Sequence, residues 1–469
     1  MLGILALMAM NSDIPSTEAI LSRSNRYMSD AVRFDHFSGS VLISRKGRIL
    51  LNKGFGYAQA ERKIQNKSTT KFRIGSVSKQ FTAAAIMRLQ EQGKLKTSDS
   101  ITKFIKSAPS AWAGITIKNL LNHTSGLINY TSLKEASGSF LESPHSSEEV
   151  LALFRDKPLE STPGVAFNYN NSGYFLLGLV IEKCSGQSLG DYLTENIFKP
   201  AGMLKTDLQE SPKSEPGRAV SYRMENGIAK KAPFIHMNNL FAIGGASSTT
   251  EDLWTWEKAL RAGKILNKSS VAEILRPGKG DYGFGWIIDT IGGHRRSYHD
   301  GGVNDFSTSL QHLTDEDITV IAISNRGDDG GIRVAYDLVG WICGAPATIR
   351  GIQPELLSES AESSYKRITA ARKRFPIFDI RESKVKELGN YLVISRNKPQ
   401  ALELFKLNAM LYPESSDAHY RLALNYSWAN QTDLARQHIQ RSLRLDPKNS
   451  DAITLSKRLS APINSASRR

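Results

Sequence analysis

Ser76 and Lys79 stand three residues apart in RIGSVSKQF, residues 73–81. A serine hydroxyl is a poor nucleophile until a base removes its proton, and a lysine serves as that base when burial and neighbouring positive charge depress its pKa. Spacing alone does not single the pair out, because S-x-x-K recurs at Ser68/Lys71, Ser100/Lys103, Ser363/Lys366, Ser383/Lys386 and Ser395/Lys398. Context does. Extended TKFRI leads into Gly75-Ser76 and then into a helical segment with Val77, Phe81, Ala85 and Leu89 on one apolar face, ending near Gly93. Ser76 is therefore expected at a helix N-terminus, with Lys79 beside it and the helix dipole favouring negative charge there. The rival pairs fall in polar loops, a linker and a repeat region.

The elements that must hold this turn are legible at coarse grain. Residues 38–57, SGSVLISRKGRILLNKGFGY, read as a hairpin turning at Lys46-Gly47. FSTSLQHL and ITVIAISN flank the acidic turn TDED, with the shorter run RSYH before them, so residues 296–325 are a second strand-rich block. Between the blocks the pattern is mostly helical: TIKNLLNHTSG, SGYFLLGLVIEKCSG and TEDLWTWEKALRAGK. Strands at both ends with helices between predict an α+β domain whose antiparallel sheet is assembled from both ends beside a helical lobe.

Composition narrows the function classes. The 469 residues exceed one ordinary domain, and a formal charge of +15 suits anionic surroundings. The densest basic run, KRITAARKRFPIFDIRESKVK, is interrupted by Asp379, Glu382 and apolar residues, which reads as a solvated face or linker rather than a nucleic-acid patch. Cys184 and Cys343 lie in apolar helical stretches and read as buried small hydrophobes. Residues 1–30 are an N-terminal segment whose start, MLGILALMAM, is too short to span a bilayer and lacks a positive n-region; a remnant of an export signal and a docked terminus both remain open. No other segment is apolar enough for a membrane helix. His123 reads as structural, its ring bonding within its own HTSG turn, and no metal site or cofactor is expected.

Beyond residue 346 the texture changes. A linker over 346–381, rich in Ser and Glu at PELLSESAESSYKR, leads to 382–469, where Ala401, Leu411, Pro413 and Ala418 recur as Ala435, Leu445, Pro447 and Ala452. The constant spacing of 34, with Leu388-Gly389, Ala401, Phe405 and Pro413 in order, resembles the tetratricopeptide (TPR) repeat. That resemblance implies an all-α module and a final helix near 450–459 that caps the stack; binding a protein partner and bracing the fold are the two roles open to it.

Residues 31–345 resemble the serine β-lactamase-related family, in the branch of class C β-lactamases, D-alanyl-D-alanine carboxypeptidases and family-VIII esterases. Three ordered motifs carry the resemblance: Ser76-Val77-Ser78-Lys79, Tyr169-Asn170-Asn171 and His299-Asp300-Gly301; LLNHTSGL, GGASSTTEDLWTW and YGFGW support it. The resemblance implies a β-lactamase/transpeptidase-like fold and an acyl-serine mechanism. Tyr169 would relay the serine proton with Lys79, Asn171 would bind Lys79 and the substrate carbonyl, and the N–H groups of Ser76 and Gly302 would form the oxyanion hole. Where β-lactamases carry lysine then threonine, this chain has His299 and Asp300; a neutral imidazole attracts a substrate carboxylate less than an ammonium does, and the adjacent aspartate is expected to repel one. The implied function is hydrolysis of an ester, amide or D-amino-acid peptide in the periplasm or elsewhere outside the cytoplasm. A non-catalytic cell-wall-peptide sensor, a DD-carboxypeptidase and a true β-lactamase are the alternatives.

Overall fold

The computed structural model describes residues 14–208, 217–225, 228–327, 329–344, 360–374, 382–394 and 398–460. The apolar start MLGILALMAM lies outside them. The described residues fall into two compact units, one up to Val339 and one from Gly340 onward.

The first unit is built on a six-stranded antiparallel sheet. Strands β1 (Gly39–Arg45) and β2 (Arg48–Phe55) form the expected hairpin. Two short strands follow, β3 (Phe72–Arg73) and β4 (Ser247–Ser248), which pair with each other outside the main sheet. The late strands are β5 (Ile287–Ile291), β6 (His294–Val303), β7 (Phe306–Leu313) and β8 (Ile318–Ser324). Their order, β2-β1-β8-β7-β6-β5, places the first strand against the last, so the sheet does close from both ends of the unit. Val41, Leu42 and Ile43 of β1 and every residue of β7 and β8 are buried, which is why neither late strand shows a clean apolar-polar alternation.

The helical lobe packs around α2 (Lys79–Glu91), which is buried on nearly every side rather than along one stripe. Phe81 sets its ring 5.1 Å from both Phe198 and Trp256, and Ala83, Ala84 and Ala85 admit close neighbours. Two of its buried polar groups are answered: Gln80 Oε1 accepts from Trp256 Nε1 at 2.9 Å, and Thr82 donates to Ala242 O at 2.8 Å. Helix α3 (Asn171–Ser185) lies against it, capped by Asn170, whose side chain accepts from Gly173 N–H.

Residues 1–30 hold more than a leader-like stretch. Thr17–Asp35 is the first helix, α1, capped by Ser16, and Tyr27 donates to Asp337 at 2.5 Å on the late helix Gly330–Ile342. The stretch read as linker likewise contains a helix, Ala361–Arg374.

The second unit is helical: Glu382–Ile394, Lys398–Leu411, Ser416–Trp428, Thr432–Leu445 and Ser450–Ser460 follow in order. The recurring alanines 401, 418, 435 and 452 have no exposed surface. At Gly389 a Cβ would come within 2.5 Å of the Phe405 ring, which explains the pairing of a small residue with a large one. The last helix packs Ala452 and Leu455 against Ala423 and Ile439.

Candidate active site

Gly75 precedes the nucleophile with φ +53, and a Cβ there would sit 2.9 Å from Gly302 N, so conformation and space both require glycine. The nucleophile turn, Gly75–Ser78, is braced from residues 244–248. Ser78 donates to Gly75 O (2.7 Å) and accepts from Ala246 N–H (3.2 Å), while Ile74 N–H donates to Ala246 O (3.1 Å). The GGASS signature is thus a scaffold under Ser76.

Lys79 has no exposed surface. Its Nζ lies 3.0 Å from Ser76 Oγ and donates to Ile243 O at 2.7 Å. The Tyr169 and Tyr174 rings lie 5.1 and 5.6 Å away. Burial holds its pKa well below the ordinary lysine value. A neutral amine here gives one N–H to Ile243 O and turns its lone pair to the Ser76 hydroxyl.

Tyr169 adjoins both Ser76 and Lys79. Burial raises its pKa, opposed first by hydrogen bonding to Ser76, so the phenol keeps its proton at neutral pH. No protein group meets its hydroxyl in good hydrogen-bond geometry. Tyr169 can therefore pass or donate a proton, while the Lys79 amine is the group available to accept one at neutral pH.

The third motif lies on β6. Strand β5 stops pairing at Tyr298, which leaves the β6 edge beyond it for the nucleophile turn. Asn304 and Asp305 form the hairpin loop with φ +46 and +61, so Val303 and Phe306 close it as the hydrogen-bonded pair. Antiparallel alternation then turns the Gly302 N–H outward, to the side that holds Ser76. Gly301 faces the turn directly: a Cβ on it would lie 2.0 Å from Ile74 O and 3.0 Å from Ser76 N. The Ser76 and Gly302 amides are thus brought together as an oxyanion hole requires.

Two expectations, for Asn171 and Asp300, need correction. Asn171 does not reach Lys79; its Nδ2 donates to Thr131 Oγ1 at 2.8 Å, and Ile243 O takes the contact expected of it. His299 is 3% exposed, and both ring nitrogens are occupied. Nδ1–H donates to Asp300 O (2.6 Å), which leaves Nε2 to accept from the Tyr282 hydroxyl (2.9 Å). Burial and then the Lys79 charge push its pKa down to about 3, so it offers a substrate carboxylate no cation. Asp300 faces the other way, because successive strand residues alternate faces. Its Oδ2 accepts from Tyr336 at 2.9 Å, in a network where Arg296 lies 4.0 Å from the Tyr298 ring. Its carboxylate does not repel substrate directly.

His123 is also not confined to its own turn, since its Nδ1 accepts from Asn170 N–H in the second motif. Ile243, Tyr282 and Tyr336 were not singled out in the sequence. The first two adjoin or belong to noted signatures, GGASS and YGFGW, whereas nothing local marked Tyr336. Among the described residues no group of three or more His, Cys, Asp or Glu could hold a metal, and no helix is long and apolar enough to cross a membrane.

Fold and site together define a serine hydrolase of the β-lactamase/transpeptidase type. The chain belongs to the Beta-lactamase family, which matches residues 31–339. It is 34% identical over 298 residues to a putative penicillin-binding protein, PbpX, of Bacillus subtilis, covering 62% of this chain and 72% of that one. Penicillin-binding protein 4* of the same organism is 30% identical over 319 residues, with 62% and 69% covered. Among solved structures, a penicillin binding protein from Bacillus halodurans superposes with a TM-score of 0.60 at 27% identity, over 67% of this chain and 98% of that one.

Proposed function

We propose that the protein hydrolyses an ester, amide or D-amino-acid peptide through an acyl-Ser76 intermediate. The observation that carries this is Lys79: buried, held by Ile243 O and set 3.0 Å from Ser76 Oγ. Lys79 takes the serine proton as Oγ attacks the substrate carbonyl carbon, and the Ser76 and Gly302 amides receive the negative charge on oxygen. Tyr169 relays the proton to the departing alcohol or amine. Water then attacks the acyl carbonyl, losing its proton to the same Lys79–Tyr169 pair, and Ser76 leaves with its proton restored.

His299 supplies no charge to anchor a carboxylate, which favours substrates in which that group is absent or held elsewhere. The second unit is best understood as a TPR-like module for a protein partner, on the strength of its 34-residue recurrence and buried alanines. A place outside the cytoplasm is supported by relatives named as penicillin-binding proteins.

The test is a substrate panel on purified protein: short-chain p-nitrophenyl esters, nitrocefin and D-Ala-D-Ala peptides, each with Ser76→Ala and Tyr169→Phe. Neutral esters should turn over faster than carboxylate-bearing substrates, and Ser76→Ala should abolish turnover. Activity untouched by both substitutions would remove the mechanism.

A further inference from the structure

His123 touches no reacting atom, yet both backbone amides flanking Tyr169 end on it. Asn168 N–H donates to His123 O at 2.9 Å, and Asn170 N–H donates to His123 Nδ1 at 3.1 Å. The His123 ring centre lies 4.3 Å from that of Tyr169. Its φ of +57 is a left-handed conformation uncommon outside glycine, and here it aims carbonyl and ring at the same segment. Tyr282 and Tyr174 wall the ring at 4.5 and 5.0 Å. Asn170 is meanwhile fixed as the cap of α3. Tyr169 thus sits between a helix cap and a clamp.

The clamp has a chemical requirement. An Nδ1 that accepts leaves the ring proton on Nε2, so only neutral imidazole closes it. Burial, then the nearby Lys79 and His299, keep His123 neutral, and its Nε2 is buried without a hydrogen-bond partner.

We propose that His123 is a positioning residue for acyl transfer: it fixes the Tyr169 hydroxyl at Ser76 by holding the backbone on both sides of Tyr169. The proposal rests on the reading of Tyr169 as proton relay. A histidine serving only its own turn would satisfy HTSG, whereas this one directs both acceptors to the neighbours of Tyr169.

A double-mutant cycle on a p-nitrophenyl ester tests it, with His123→Ala, Tyr169→Phe and both together. His123→Ala should lower kcat about 10- to 100-fold, the scale of a misplacement near 1 Å, with KM changed less than about threefold. On the Tyr169→Phe background the same change should cost nothing further. His123→Asn, whose oxygen can replace Nδ1 and which tolerates left-handed backbone, should recover most of kcat. Should His123→Ala fail to fold, His123→Gln takes its place in the cycle, with a smaller loss that again vanishes without the Tyr169 hydroxyl. Losses that multiply in the double variant, or a lowered melting temperature with unchanged kcat, would overturn the positioning role alone. Tyr169→Phe with full activity would overturn the relay reading and this proposal together.

Discussion

Gly301→Ala is the sharpest steric test of the oxyanion arrangement. The added methyl would lie 2.0 Å from Ile74 O and 3.0 Å from Ser76 N, where ordinary contact begins near 3.4 Å. About 1.4 Å must therefore open between β6 and the nucleophile turn. Neither side yields easily, because Ile74 N–H is bonded to Ala246 O and β6 is paired with β7 from Arg296 to Val303. Hydrogen-bond donors act on an oxyanion only within about 2.7–3.1 Å, and losing one costs roughly 100- to 1,000-fold in kcat. Strain adds about 1–3 kcal/mol of destabilisation. The assay is kcat on a p-nitrophenyl ester beside a thermal melt. Gly114→Ala is the control, since its Cβ would meet nothing within 4 Å and it lies outside the site; it should stay within about threefold of the parent. A folded Gly301→Ala with parental kcat would refute the convergence of the two amides on the reacting carbonyl.

Other outcomes follow from the buried titratable groups. Lys79→Met should abolish turnover yet stabilise the fold by about 1 kcal/mol or more, because a buried amine is exchanged for an apolar chain of similar length. The folded chain binds fewer protons at Lys79 than the unfolded one, so parental stability should rise with pH between the depressed pKa and the ordinary 10.5, and Lys79→Met should flatten that rise in melts across pH. The parental kcat/KM should fall on the acid side as Lys79 gains its proton. Tyr336→Phe should cost about 1–3 kcal/mol at neutral pH by removing a donor to buried Asp300. Burial raises the Asp300 pKa, so the folded chain binds the extra proton and the cost of its charge grows with pH; the Tyr336→Phe deficit should shrink towards about pH 4, and a deficit independent of pH would contradict this.

How much of this was visible in the sequence depended on the range of the interaction. Ser76 and Lys79 were legible because their contact is local, one helical turn apart, and the hairpin at Lys46-Gly47 because its turn chemistry is local. The joining of the early hairpin to the late strands followed from their apolar character. The Asp300 orientation was within reach, since His299 and Gly301 must share a face and the residue between them must point away. Asn171 was not, because its partner Thr131 comes from another segment, and no residue type announces that the backbone oxygen of Ile243 will hold Lys79. The helix Thr17–Asp35 was masked by the apolar stretch before it, although Ser16 stood ready as its cap.

The most direct test of the central claim is mass spectrometry of the intact protein and its peptides after reaction with a fluorophosphonate or a penicillin. One adduct should appear on the peptide containing Ser76, and Ser76→Ala should show none. An unlabelled Ser76 in a protein that still hydrolyses esters, or ester hydrolysis that survives Ser76→Ala, would contradict the acyl-serine account.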